Sequence, residues 1–305
     1  MQRRVLFLKM DFIKLIALYY YIHECYNTEL RWHCQRFSNN YNPEFTDEEL
    51  LTIYIFVMAE EEKFKVKSIY DFTRKHLLDW FPKLPSYQAF DSRLNRLACA
   101  FPPLVVQLLQ QVDPLGAEFE ISLLDSLPII TCSGKRAGKV ATEMTDKSYC
   151  SSKNLHYYGA KLHGIAFRRP GALPLPEYFG LTKASEHDLN AVREILPRLY
   201  GRAVFGDKAY SDKDFGETLQ QESGVHVYTP VKLVKGEAEA VRHFKKAADN
   251  LFSTAVSRVR QPIESLFNWL NDKTDIQRAS KVRSNRGLVV HVFGRIAAAI
   301  SLWVF

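Results

Sequence analysis

The apolar pattern of this chain changes period once, near Asp113-Pro114-Leu115-Gly116, and that change limits the folds open to it. Before it the signals are helical. Thr46-Asp47-Glu48-Glu49 forms a capping box ahead of an apolar run from Leu50, Ser68 is placed to cap a helix over 69–78, and Ser86 to cap one over 87–99. After it, 119–124, 156–167, 177–182, 203–206 and 225–228 read as strands, with helices expected over 188–199 and around Glu264. Strands that run first as a meander and then alternate with helices suit a mixed α/β sheet covered by helices. The sequence therefore predicts a smaller all-helical domain over 1–114 and an α/β domain over 115–305. With 305 residues, 47% of them hydrophobic, the chain has apolar side chains enough for two cores.

Three acidic residues stand where this pattern can bring them together. Asp125 closes the apolar run 119–124, Asp207 closes 203–206, and Glu264 lies in a helical stretch beginning near Pro262. Two strand ends and one helix can converge outside the carboxyl edge of an open α/β sheet, where ligand sites gather. Hard carboxylate oxygens suit Mg²⁺, and a pair of such ions can activate the attacking oxygen and stabilise the leaving oxygen of a phosphodiester. Each Asp also has a structural reading, as a turn former or helix N-cap, and the same holds for His187-Asp188. Around Glu264, helical spacing puts Arg260, Asn268 and Asn271 on its face and Ile263, Leu266, Phe267 and Leu270 on the other. Pro262 either starts that helix or kinks it.

In the segments Leu123-Leu124-Asp125-Ser126-Leu127-Pro128-Ile129, Phe205-Gly206-Asp207-Lys208-Ala209-Tyr210 and Arg260-Gln261-Pro262-Ile263-Glu264-Ser265-Leu266-Phe267-Asn268-Trp269, the chain resembles bacterial insertion-sequence transposases of the DDE type. The resemblance runs from about Phe119 to the C-terminus. It implies a ribonuclease-H-like mixed sheet flanked by helices. It also makes Asp125, Asp207 and Glu264 the catalytic ligands of two Mg²⁺ ions, with Mn²⁺ as a substitute. Of the Tyr-x₂-Arg-x₃-Glu-x₆-Lys signature that relatives carry, Arg260 and Glu264 fit, whereas Ser257 and Asn271 take the other two places and Lys273 is displaced by two. The implied activity is cleavage at the ends of a mobile element and transfer of the freed 3′-hydroxyl into target DNA, with two or more copies assembled on DNA. A nuclease without strand transfer and a catalytically inactive DNA-binding regulator are the alternatives.

Charge supports a polyanionic partner. Lys and Arg number 41 against 34 Asp and Glu, a net charge of +7 with an isoelectric point near 9.0. Basic residues concentrate over 132–169, which includes Lys135, Arg136 and Lys139, and over 258–295, which includes Arg260, Lys273 and Arg283. These residues, with Lys208 beside Asp207, are the candidate contacts to double-stranded DNA. In the helical region the predicted pair over 69–78 and 87–99 could form a helix-turn-helix, its second member presenting Gln88, Arg93, Asn95 and Arg96 to a major groove. The five cysteines form no Cys-x-x-Cys pair, which suits a reducing cytoplasm and gives no zinc-finger spacing. His291 and Arg295 interrupt the apolar stretch 287–305, so a buried terminal helix is expected there rather than a membrane span.

Overall fold

The computed structural model describes residues 11–34, 43–135, 138–150, 153–232 and 239–305. By its contacts the chain divides into two compact units, Met1–Val112 with Lys273–Asp275 and Arg286–Phe305, and Asp113–Asp272 with Ile276–Asn285. The division begins close to the expected boundary at 114 but does not follow the chain to its end. The terminal helix, assigned from sequence to the α/β region, belongs by its contacts to the helical unit.

In the helical unit, α1 (Phe12–Cys25), α2 (Arg31–His33), α3 (Asp47–Glu61), α4 (Val66–His76), α5 (Tyr87–Arg96) and α6 (Phe101–Gln111) follow in order. The capping box opens α3 as read: Thr46 Oγ1 accepts from Glu49 N–H at 3.2 Å, and the Glu49 carboxylate accepts from Thr46 N–H at 2.5 Å. Every residue from Leu50 to Ala59 is buried, so α3 is apolar all round and takes the centre of the unit. Ser68 does not cap; α4 begins earlier, after Lys65. The connection from α4 to α5 is the segment 77–86, longer than the three- or four-residue turn of a helix-turn-helix. Arg93 is also engaged internally, donating to Asp47 Oδ1 at 2.8 Å with its guanidinium over the Phe45 ring. The Asn95 amide likewise donates to Asp91 O.

The α/β unit holds a six-stranded sheet of β1 (Glu118–Ser133), β2 (Asp146–Cys150), β3 (Leu155–Arg168), β4 (Leu175–Lys183), β5 (Ala203–Phe205) and β6 (His226–Tyr228). β1 and β3 pair antiparallel along most of their length, and β2 and β4 pair antiparallel with successive parts of β3. On the other side of β1, β5 and then β6 run parallel to it. Helices α7 (Asp188–Val192), α8 (Lys213–Ser223), α9 (Glu239–Arg260) and α10 (Pro262–Thr274) follow the strands, and α11 (Asn285–Val289) and α12 (Arg295–Val304) end the chain. This is the mixed, helix-flanked arrangement of a ribonuclease-H-like domain.

Two local expectations need correction, and a choice left open at Pro262 is decided. β1 does not end at Asp125; it continues for eight more residues, because pairing with β3 goes on after β5 has stopped at Leu123. The helix expected over 188–199 ends at Val192, and a 3₁₀ turn, Leu196–Arg198, replaces its second half where Pro197 lacks an N–H. Pro262, read as either a helix start or a kink, is the first residue of α10, and α9 ends at Arg260, with Gln261 between the two helices.

Leu124 and Ile165 point from the sheet into a core with Val192, Leu196, Val204, Tyr210 and Leu219. Side chains alternate across a strand, so Asp125 and its register partner Gly164 face the opposite side. There Phe267 of α10 lies so close to Gly164 that a Cβ would meet its ring at 3.0 Å. In the helical unit, α12 packs on α3 and α6, and Arg295 donates to Phe64 O at 2.6 Å and to Thr274 O. The helix Asn285–Val304 is long and apolar enough to cross a membrane, but most of it is buried.

Candidate active site

Asp125 lies in β1 just past the last residue that pairs with β5. Extending the Leu123–Phe205 register by two residues sets Asp125 opposite Asp207, which leaves the carboxyl end of β5. Asp125 Oδ1 accepts from Ser126 N–H at 2.8 Å, and its Oδ2 accepts from Arg260 Nη1 at 2.5 Å. Asp207 caps a 3₁₀ turn, Lys208–Tyr210, accepting through Oδ1 from Ala209 N–H at 2.8 Å. Capping does not exclude it from a site, since a carboxylate has about four acceptor positions. Glu264 projects from the first turn of α10, half exposed, and its Oε1 accepts from Arg260 Nη2. Two elements therefore bring two carboxylates, Asp125 and Glu264, onto one guanidinium, with Asp207 at the neighbouring strand end.

The electrostatics follow from that grouping. Burial pushes the Asp125 carboxyl up to about 6; Arg260 and the Ser126 N–H oppose this, and the charges of Asp207 and Glu264 add to it. Burial works to lower the pKa of Arg260, but Asp125, Glu264 and Asp207 outweigh it and raise the value. Two carboxylates on one cation, with the charge of Asp207 felt by both Asp125 and Arg260, leave an excess of negative charge, which is what a divalent cation site needs. Oxygen donors of this kind fit Mg²⁺. As they stand, however, no three His, Cys, Asp or Glu side chains among the described residues are drawn together closely enough to hold a metal ion.

The remaining candidates are spread more widely. Lys208 is exposed directly after Asp207. Lys135 and Lys139 are exposed beyond the far end of β1, Lys135 about 30 Å from Asp125 at the rise of a strand. Arg136 lies outside the described residues. Arg283 is exposed and donates to the carbonyls of Ser280 and Val282. Lys273 pairs with Glu62 at 3.8 Å within the helical unit. Asn271, at the signature's lysine position, accepts from Gln277 N–H at 3.3 Å and so holds the turn after α10.

Sequence reasoning missed two features. Gly164, opposite Asp125, gives α10 the room to bring Glu264 over the sheet. A polar cluster also lies on the other face of β3: Lys161 Nζ donates to Asp188 Oδ1 at 3.1 Å and to Glu186 O at 2.6 Å, and His163 Nδ1 is 3.9 Å from Asp188 Oδ1. Asp188 thus meets the strand rather than only opening α7, whereas His187 makes no side-chain cap. The alternation Lys161-x-His163 was the available signal. Burial raises the pKa of the Tyr210 hydroxyl, and the charges of Asp188, Asp125 and Asp207 add to the shift.

A family model described as "Transposase DDE domain" matches residues 115–285. The chain belongs to this family. No curated protein and no solved structure matches the chain. The match covers more than half of the transposase and contains Asp125, Gly164, Asp207, Arg260 and Glu264, while the helical region before 115 lies outside it. Membership makes DNA the partner of this transposase and polynucleotidyl transfer or nuclease chemistry its class.

Proposed function

We propose that this DDE transposase cuts DNA at the ends of an insertion-sequence mobile element and joins the freed 3′-hydroxyl to target DNA. The observation that carries the reading is that Asp125 of β1 and Glu264 of α10 meet on Arg260, beside the end of β5 where Asp207 stands. In this reading the three carboxylates hold Mg²⁺, for which Mn²⁺ can substitute. The metal, when bound, supplies activation of the attacking oxygen and stabilisation of the leaving oxygen. Asp125 is fixed by the Ser126 N–H and Asp207 by the Ala209 N–H, so both enter the reaction already oriented. Lys208, exposed beside Asp207, and Arg260 bind phosphate oxygens, and the basic residues farther out hold the duplex. Joining two element ends calls for at least two copies on DNA. In this reading the chain works in the cytoplasm, where its cysteines stay reduced.

The test is a joining assay. Labelled donor DNA carrying the element's own flanking ends is incubated with a plasmid, Mg²⁺ and the full chain. The reading expects label covalently transferred to the plasmid. Cut donor without transfer would assign a nuclease instead, and a mobility shift without cutting would assign a DNA-binding regulator.

A further inference from the structure

Arg260 occupies the atoms that a metal ion would need. The Asp125 carboxylate gives one oxygen to the Ser126 N–H and the other to Arg260 Nη1, and Glu264 Oε1 goes to Arg260 Nη2. The Arg260 side chain is 16% exposed and is the last residue of α9, adjoining the Pro262 break, so its guanidinium reaches from the end of one helix to the first turn of the next and to β1. A carboxylate oxygen has more than one acceptor position, but a guanidinium and a divalent cation sharing the Asp125 and Glu264 oxygens would set positive charges side by side in a partly buried site, where they repel. Entry of a metal therefore requires the guanidinium to leave, and leaving is costly for a mostly buried charge unless another anion receives it. The phosphate of a bound DNA strand is such an anion, and its geometry suits the planar two-pronged donor of arginine.

We propose that Arg260 is a latch that makes the metal site of this transposase conditional on DNA: without DNA it closes Asp125 and Glu264, and a substrate phosphate draws it away and frees their oxygens. The inference builds on the reading of these carboxylates as metal ligands. Because coupling between two ligands is reciprocal, metal strengthens DNA binding by the same factor as DNA strengthens metal binding. The latch keeps the chain from carrying a loaded cutting centre when it is not on DNA.

The test measures Mn²⁺ binding to the full-length, DNA-free chain by electron paramagnetic resonance, for wild type, Arg260→Gln, Arg260→Lys, Asp125→Asn and Asp125→Asn/Arg260→Gln. Thermal melting checks that each is folded, and Arg260→Lys serves if Arg260→Gln is not. The proposal expects weak binding by the wild type and binding about tenfold tighter or more in Arg260→Gln, the scale of a lost charged hydrogen bond. Arg260→Lys also binds more tightly than wild type, because an ammonium keeps the charge but cannot bridge two carboxylates. Adding Asp125→Asn to Arg260→Gln abolishes the gain. If Arg260→Lys matches wild type, the effect is one of net charge and the latch is overturned. If both Arg260 variants match wild type while Asp125→Asn loses binding, the latch is wrong and the metal-ligand reading stands. Binding insensitive to Asp125 in every background overturns both.

Discussion

Replacing Gly164 by alanine tests whether the approach of α10 to the sheet sets the active-site geometry. A Cβ at this position meets Phe267 Cζ at 3.0 Å and Cε1 at 3.1 Å, and Phe179 Cε1 at 3.6 Å. Carbon atoms rest at about 3.5–4.0 Å, so the Phe267 ring has to retreat by roughly half an ångström. Overpacking of this kind costs about 1–3 kcal/mol, and the backbone entropy gained on replacing glycine offsets roughly 0.4–1 kcal/mol of it. A net loss of about 1 kcal/mol is expected in urea denaturation. The effect on cleavage is expected to be larger. Phe267 and Glu264 share α10 one turn apart, and displacing a catalytic group by about 1 Å can lower a rate on the order of 100-fold. Leucine at 267 makes room, so Gly164→Ala/Phe267→Leu recovers activity relative to Gly164→Ala, with a coupling energy of roughly 1 kcal/mol in the stability cycle. Wild-type stability and cleavage in Gly164→Ala, or strict additivity in the cycle, would refute this role for the glycine.

Two further perturbations probe charges outside the three carboxylates. His163, buried among Asp188, Lys161 and Glu186, is pushed down to about 4 by burial first, so the unfolded chain takes up a proton below about 6.5 and the folded one does not. Its contribution is intact above that pH and lost as pH falls to about 4, roughly 3 kcal/mol in all; Asp125, raised to about 6, gives the opposite slope. The measurement is therefore the difference in pH-dependent denaturation between wild type and His163→Asn, which should show the acid-side loss in wild type only. In the helical unit, Arg93→Ala removes a charged partner of the buried Asp47 carboxylate and should cost about 2 kcal/mol by urea denaturation, whereas Lys67→Ala, which breaks an exposed pair with Asp71, costs under about 1 kcal/mol.

The parts of the fold that depend on local signals could be read from sequence. Thr46 and Glu49 supply a cap through side chains three residues apart, and the β-rich run of β3 shows itself without reference to the rest of the chain. The length of β1 could not be read, because Asp125 closes the apolar run and a proline, Pro128, follows it. In the fold Ile130 exchanges hydrogen bonds with Gln277 and Ala279 on the edge that β5 has left. Pro128, two residues earlier, turns its missing N–H to that same edge, where no ladder bond is lost. The meeting of β1 and α10 was legible by residue type and place, but not the cation between Asp125 and Glu264, since the Arg260–Asp125 bond joins residues far apart in sequence. Nor does charge counting place a side chain: Lys273 and Arg260 lie in one basic stretch, yet one pairs with Glu62 and the other with Asp125 and Glu264. The assignment of Arg286–Phe305 to the helical unit likewise depends on long-range packing that no local pattern encodes.

The central claim is that Asp125, Asp207 and Glu264 together form the cutting centre. Its most direct test is DNA cleavage in Mg²⁺ by wild type, Asp125→Asn, Asp207→Asn and Glu264→Gln, with DNA affinity measured in parallel. Loss of cleavage in all three variants with affinity close to wild type is the predicted result. Cleavage retained by any one of them would contradict the account.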